Sequence, residues 1–149
     1  MRLENRNAIV TGSGNGIGRA IAILFAKEGA NVIVADIEED TGNETVEIIK
    51  ANGGEASFIN VDTSKLDSVE NMVNSSIEKY GDINVLVNNA AAFVFGNIEN
   101  ITQNDWSKVL GVNVIGYANC VQKSLDSLKK TDGSSIINIA SVSSFIAQP

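Results

Sequence analysis

The segment Thr11-Gly12-Ser13-Gly14-Asn15-Gly16-Ile17-Gly18 joins an apolar run, Ala8-Ile9-Val10, to a stretch in which Ile17, Ile21, Leu24 and Phe25 recur at helical spacing. That junction constrains the fold more than any other feature of the chain. Glycines at alternate positions let the backbone turn sharply, approach a ligand with no Cβ in between, and bring the helix close to the sheet. A strand, a tight turn and a helix in this order present free N–H groups and the positive end of a helix dipole at the turn. Such a turn seats phosphate groups, at about 0.3–1 kcal/mol per charge near the surface.

The same alternation continues downstream. Val32 to Ala35 reads as a buried strand, Asp40 to Asn52 as a helix ended by Gly53-Gly54, and Ser57 to Val61 as a third strand. Leu66, Val69, Met72, Val73, Ile77 and Tyr80 form an apolar helical stripe closed by Gly81, and Val85 to Val87 form a fourth strand. Thr102 with Asp105 three residues later predicts an N-cap, opening one long helix to about Leu128; Ile136 to Ile139 is the fifth strand. Strict β/α alternation with continuous apolar strands predicts an α/β fold, a parallel sheet covered on both faces. The pattern stops on a strand, with only Val142 to Pro149 after it, so the last helices and strands of such a fold are expected to be missing and one apolar edge to lie open.

Composition narrows function by exclusion. The 149 residues suit one domain spanning 1–149, and a net charge of −7 without any basic run argues against nucleic acid or an anionic membrane as a partner. No His is present, no metal site is expected, and the single Cys120 reads as a small buried hydrophobe in a reducing compartment. The N-terminal Met1-Arg2-Leu3-Glu4-Asn5-Arg6 has no apolar core for a signal peptide, and no stretch reaches membrane-spanning length, so a cytoplasmic protein is expected.

Ile17 stands where the GxGxxG fingerprint needs its last glycine, but the turn fits TGxxxGxG. With the segments that follow, that spacing resembles the short-chain dehydrogenase/reductase family over residues 6 to 145, the front part of such an enzyme. The resemblance implies a Rossmann-type doubly wound sheet and an NAD-binding turn made of Gly12, Ser13, Asn15, Gly16, Ile17 and Gly18. Asp36 ends the second strand 18 residues beyond Gly18, where a carboxylate can accept the adenosine ribose hydroxyls and repel a 2′-phosphate. Asn15 and Ile37 occupy the places where NADP-preferring relatives carry basic residues, so NAD is the expected cofactor. An Asp in a solvated turn beside Glu38, Glu39 and Asp40 is the plainer reading of Asp36.

Asp62 and Thr63 look like the family's adenine contact, though Asp before Thr-Ser also caps helices. Asn88-Asn89-Ala90-Ala91 resembles the family's NNAG segment, with Ala91 in place of glycine; Asn89, Ala90 and Ala91 are thereby implied to line the cofactor ribose. Asn113 matches the family Asn that holds a water in the proton relay, and Ser141 matches the catalytic serine, with Ser143 and Ser144 as neighbouring choices. Each of these also has a structural reading, as a satisfied helix Asn or a serine at a strand end.

Hydride transfer in this family uses a Tyr with a Lys four residues later, whose charge lowers the phenol pKa. Tyr80 is followed at that spacing by Asn84 and Tyr117 by Val121. The resemblance therefore implies an NAD-dependent oxidoreductase acting on a secondary alcohol or ketone and assembled as a homo-oligomer, with these residues as its nucleotide-binding part and inactive alone. The alternative is a non-catalytic dinucleotide-binding or oligomerising module.

Overall fold

Alternate residues of a strand face opposite sides of a sheet, and here both sides are apolar. The structure, a computed structural model, describes residues 1–144 and residue 146. Strands β1 (Asn7–Thr11), β2 (Asn31–Asp36), β3 (Glu55–Asn60), β4 (Val85–Asn88) and β5 (Ser135–Asn138) pair in parallel in the order β3-β2-β1-β4-β5. Ala8 and Val10 of β1, Val32 and Val34 of β2, and Val85 and Val87 of β4 share one face with Ala22, Ala26, Val46 and Ile49. Those last four belong to helices α1 (Gly16–Lys27) and α2 (Glu39–Ala51).

On the other face, Ile9, Ile33 and Leu86 meet Val69, Met72 and Val73 of α3 (Leu66–Tyr80) and Cys120 and Leu128 of α5 (Tyr117–Leu128). Each fully buried Val, Ile or Leu contributes about 1.5–3 kcal/mol relative to exposure, so two such layers hold the two-faced parallel sheet that the alternation predicts, in the doubly wound Rossmann-type order that the resemblance implies. Gly29 (φ +93°) and Gly81 (φ +85°) end α1 and α3 in backbone that L side chains avoid.

Two expectations change. The third strand begins at Glu55 and ends at Asn60, shifted from Ser57–Val61, because its pairing with β2 runs from Asn31↔Glu55 to Asp36↔Asn60. The expected long helix is instead α4 (Gln103–Leu110), a π-helical turn over Gly111–Gly116, and α5. The Thr102–Asp105 capping box is present, each side chain meeting the other residue's backbone N–H. A Cβ on Gly116 would lie 2.8 Å from Thr63 Oγ1, so the widened turn sits against the segment after β3. Strand β5 is open, with Ile136 and Ile137 about two-fifths exposed at 41% and 40%.

Candidate functional site

In this strand order the chain runs outward from β1 to β3, then returns to place β4 on the other side of β1. Loops leaving β1 and β4 diverge there, and a crevice opens at the carboxyl ends of the strands. It is a cleft of about 800 Å³. Its wall takes Gly12, Asn15 and Gly16 from the turn after β1, and Asp36, Ile37 and Glu38 from the end of β2. Val61, Asp62 and Thr63 follow β3, and Asn89 to Phe93 follow β4.

The glycine turn has two kinds of glycine. Gly16 (φ +54°) would point a Cβ into open space, with no atom within 4 Å, whereas a Cβ on Gly12 (φ +64°) would lie 2.7 Å from Ala90 Cα. Asn15 is the N-cap of α1, its Oδ1 accepting from Gly16 N at 2.8 Å. Ser13, Ile17 and Gly18 do not line the cleft. The buried Ser13 hydroxyl donates to Val10 O at 2.6 Å and accepts from Ala35 N at 3.0 Å, so it stitches β1 to β2. Ile17 is exposed on the first turn of α1, and Gly18 packs on the turn itself.

Asp36 faces this turn. Its Oδ2 accepts from Gly14 N at 2.7 Å and its Oδ1 from Glu38 N at 3.1 Å, which fixes the carboxylate at the cleft rim. Asp62 accepts through Oδ1 from Ser64 N at 3.1 Å and from Ser64 Oγ at 2.6 Å, and pairs with Lys65 Nζ at 3.1 Å. The Ser64 hydroxyl chiefly, with help from Lys65, holds the Asp62 carboxyl below its usual range. Asp62 thus shapes the turn before α3 and lines the cleft at once.

Across the crevice, Thr11 Oγ1 accepts from Asn89 N at 3.0 Å and Ala90 N at 3.1 Å, and Asn89 Nδ2 donates to Thr11 O and Gly12 O at 3.0 Å each. These bonds dock the loop after β4 onto the glycine turn, with Ala91 accommodated in the cleft wall. Asn113, in the π turn, accepts from Ala92 N at 2.8 Å and donates to Ala92 O at 3.0 Å. Ser141 lies exposed beyond β5, its Oγ accepting from Ser143 N at 3.2 Å. Neither Asn113 nor Ser141 lines the cleft itself, and the Ser144 side chain lies outside the described residues.

Sequence reasoning missed Ala35, Glu38, Val61, Ala92, Lys108 and Val112 as cleft residues. Lys108 and Val112 are four apart and so share a helix face, a signal present in the sequence but uninterpretable until that face is known to turn toward β4. Among the described residues, Lys108 is the one cation in the wall.

The sequence profile of the short chain dehydrogenases matches residues 6–149. The chain belongs to the short-chain dehydrogenase family. It is 39% identical over 149 residues to an uncharacterized oxidoreductase of Thermotoga maritima, covering 100% of this chain and 59% of that protein. It is also 39% identical over 145 residues to meso-2,3-butanediol dehydrogenase of Serratia marcescens, covering 96% of this chain and 56% of that one. Among solved structures, a short chain dehydrogenase/reductase from Burkholderia phymatum in complex with NAD superposes with a TM-score of 0.95 at 31% identity, covering 100% of this chain and 53% of that chain. The chain therefore spans between half and three-fifths of the length of these family members.

Among the described residues, no group of three or more His, Cys, Asp or Glu side chains is placed to hold a metal ion. No described helix is long and apolar enough to cross a membrane.

Proposed function

We propose that this chain is the nucleotide-binding part of an NAD-dependent short-chain dehydrogenase, and that the complete enzyme interconverts a secondary alcohol and its ketone. The observation that carries the reading is the pairing of Gly16, whose missing Cβ leaves a cradle open to the cleft, with the Asp36 carboxylate held by Gly14 N in the same crevice. The donor set fits a dinucleotide: main-chain amides for a diphosphate at the start of α1, an acid for a ribose diol, and apolar Ile37 and Val61 for a flat base.

In this reading Gly12, Ser13, Asn15, Gly16, Ile17 and Gly18 form or support the diphosphate turn. Asp36 accepts both hydroxyls of the adenosine ribose and repels a phosphate on either, while Ile37, Asp62 and Thr63 bound the adenine. Asn89, Ala90 and Ala91 follow the second ribose. A bound nicotinamide supplies the acceptor or donor of the hydride. Ser141, whose Oγ already accepts from Ser143 N, keeps its own O–H to donate to a substrate oxygen. Asn113 holds Ala92 with one lone pair and one hydrogen, leaving the others for a proton-relay water.

No Tyr in these 149 residues has a Lys four positions on, which supports assigning them cofactor binding without turnover. The same absence favours one other reading, a non-catalytic dinucleotide-binding module that assembles with copies of itself. We place the complete protein in the cytoplasm, with a small alcohol or ketone as substrate and a homo-oligomer as its assembled state.

Titration of this chain with NADH, NADPH and S-adenosylmethionine, a methyl donor that a similar glycine loop with an acid after the second strand can also bind, tests the reading by nicotinamide fluorescence and calorimetry. Tightest binding of NADH is expected; preference for the methyl donor overturns it. In a form of the protein with the full length of its relatives, Ser141→Ala is expected to lower turnover and leave NADH affinity unchanged. Normal turnover there would move the role to Ser143 or Ser144, and no turnover in the unmodified long form would favour the non-catalytic module.

A further inference from the structure

The peptide between Gly14 and Asn15 is gripped from behind the cleft. Gly14 is buried, so both its backbone polar groups need partners. Its N–H donates to Asp36 Oδ2 at 2.7 Å, and its carbonyl accepts from Arg19 Nε at 2.9 Å, from Arg19 Nη2 at 2.6 Å and from Thr45 Oγ1 at 3.3 Å. Arg19 stands on α1, and its Nη2 also meets Glu44 Oε2 of α2 at 2.6 Å. The guanidinium, with its side chain 21% exposed, does not line the cleft. A Cβ on Gly14 would lie 2.9 Å from Asp36 Oδ2 and 2.6 Å from Thr41 Oγ1, so the grip requires glycine there.

The consequence lies on the other side of the peptide. No peptide bond among the described residues is cis, and a trans peptide sends its C=O and N–H in opposite directions. Turning the Gly14 carbonyl toward Arg19 therefore turns the Asn15 N–H away from it, and Asn15 is a cleft residue. Among the described residues no acceptor takes that N–H.

We propose that Arg19 is a positioning residue for the dinucleotide site: by fixing the Gly14 carbonyl it steadies the turn and aims the Asn15 amide at the diphosphate. This rests on the dinucleotide reading above. A flat, bidentate guanidinium suits the task because two N–H groups on one carbonyl fix its direction, whereas a lysine ammonium offers a single point contact.

The test uses Arg19→Met, Arg19→Lys and Glu44→Gln in this chain, with NADH, ADP-ribose and adenosine as ligands. Arg19→Met is expected to weaken NADH and ADP-ribose about tenfold while adenosine changes less than twofold, and Arg19→Lys to recover part of the loss. Glu44→Gln, which removes only the ion pair, is expected to stay within about twofold. Equal losses for adenosine and NADH, or no loss, overturn the proposal.

A ligand-free readout separates this from the reading beneath it. Amide hydrogen exchange at Gly14 is expected to speed up in Arg19→Met and partly to slow again in Arg19→Lys; unchanged exchange overturns the clamp whatever the ligand results. Failure of the unmodified chain to bind NADH or ADP-ribose would overturn both the dinucleotide reading and the aim assigned to Asn15.

Discussion

Gly18 and Gly12 are in contact across the glycine turn so closely that a Cβ on Gly18 would collide with the carbonyl oxygen of Gly12 and lie 2.5 Å from Asn89 Nδ2. Neither neighbour can yield cheaply, since one is backbone and the other donates to Thr11 and Gly12. Gly18→Ala is therefore expected to cost about 1–3 kcal/mol of stability, read as a lowered midpoint in urea or thermal unfolding. Gly16 is the counterpart. Its Cβ would meet nothing, so Gly16→Val should cost at least the roughly 1–2 kcal/mol of a left-handed backbone, more for a β-branched residue, and abolish NADH binding, because the branched side chain fills the cradle. Retained NADH affinity in Gly16→Val would place the phosphate seat elsewhere.

In the proposed reading, Asp36 carries the choice between NAD and its 2′-phosphorylated form. Two like unit charges about 4 Å apart repel by about 4 kcal/mol at an effective dielectric of 20, and a third of that is already close to tenfold. Asp36→Ala is expected to weaken NADH and to narrow the NADH/NADPH affinity ratio by about tenfold or more. It also frees Gly14 N, so NADPH should gain less than NADH loses. Paired titrations at one ionic strength check this, and an unchanged ratio would remove the carboxylate from the ribose.

The β/α order, the glycine turn and the acid at the end of β2 were readable because each depends on local pattern: apolar runs, helical spacing, residues a fixed distance from a strand end. What was not readable depends on partners distant in sequence. Nothing in Gly111-Val112-Asn113 departs from helical spacing, and the π turn accompanies the bonds of Asn113 to Ala92, 21 residues earlier, and the contact of Gly116 with Thr63. Ser13 resembles any turn serine until Val10 O and Ala35 N, 22 residues on, occupy its hydroxyl. Lys108 and Val112 become cleft residues only because α4 and the π turn after it lie beside the loop after β4.

The two bonds between Asn113 and Ala92 make a distinct prediction. Asn113→Ala leaves both Ala92 backbone groups without this partner, at a cost of about 1–2 kcal/mol. Asn113→Asp keeps the acceptor for Ala92 N but sets a carboxylate oxygen against Ala92 O. It is expected to be at least as destabilising as Asn113→Ala near neutral pH, where the carboxylate is charged, by chemical denaturation. Wild-type stability in Asn113→Asp would show that the amide nitrogen does not hold the loop.

Burial pushes the Cys120 thiol up to about 12, and burial, the larger influence, with Glu55 beside it pushes the Tyr80 phenol to about 12. An unfolded thiol titrates near 8.5 and an unfolded phenol near 10. Between about pH 8.5 and 12 the unfolded chain has lost the Cys120 proton that the folded chain keeps, so the unfolded state binds fewer protons and stability must fall as pH rises. The slope approaches about 1.4 kcal/mol per pH unit once the unfolded thiol is ionised, and Tyr80 steepens it above about pH 10. Cys120→Ala removes the first component. Its cavity lowers stability by a similar amount at every pH, so the diagnostic quantity is the slope: a flatter decline between pH 8.5 and 10 in urea titrations, with the Tyr80 limb retained. Equal slopes in the two proteins would mean that the folded thiol ionises as freely as the unfolded one. Such a thiol would react with an aromatic disulfide at pH 8 in the native state, where the buried one is expected to react only after unfolding.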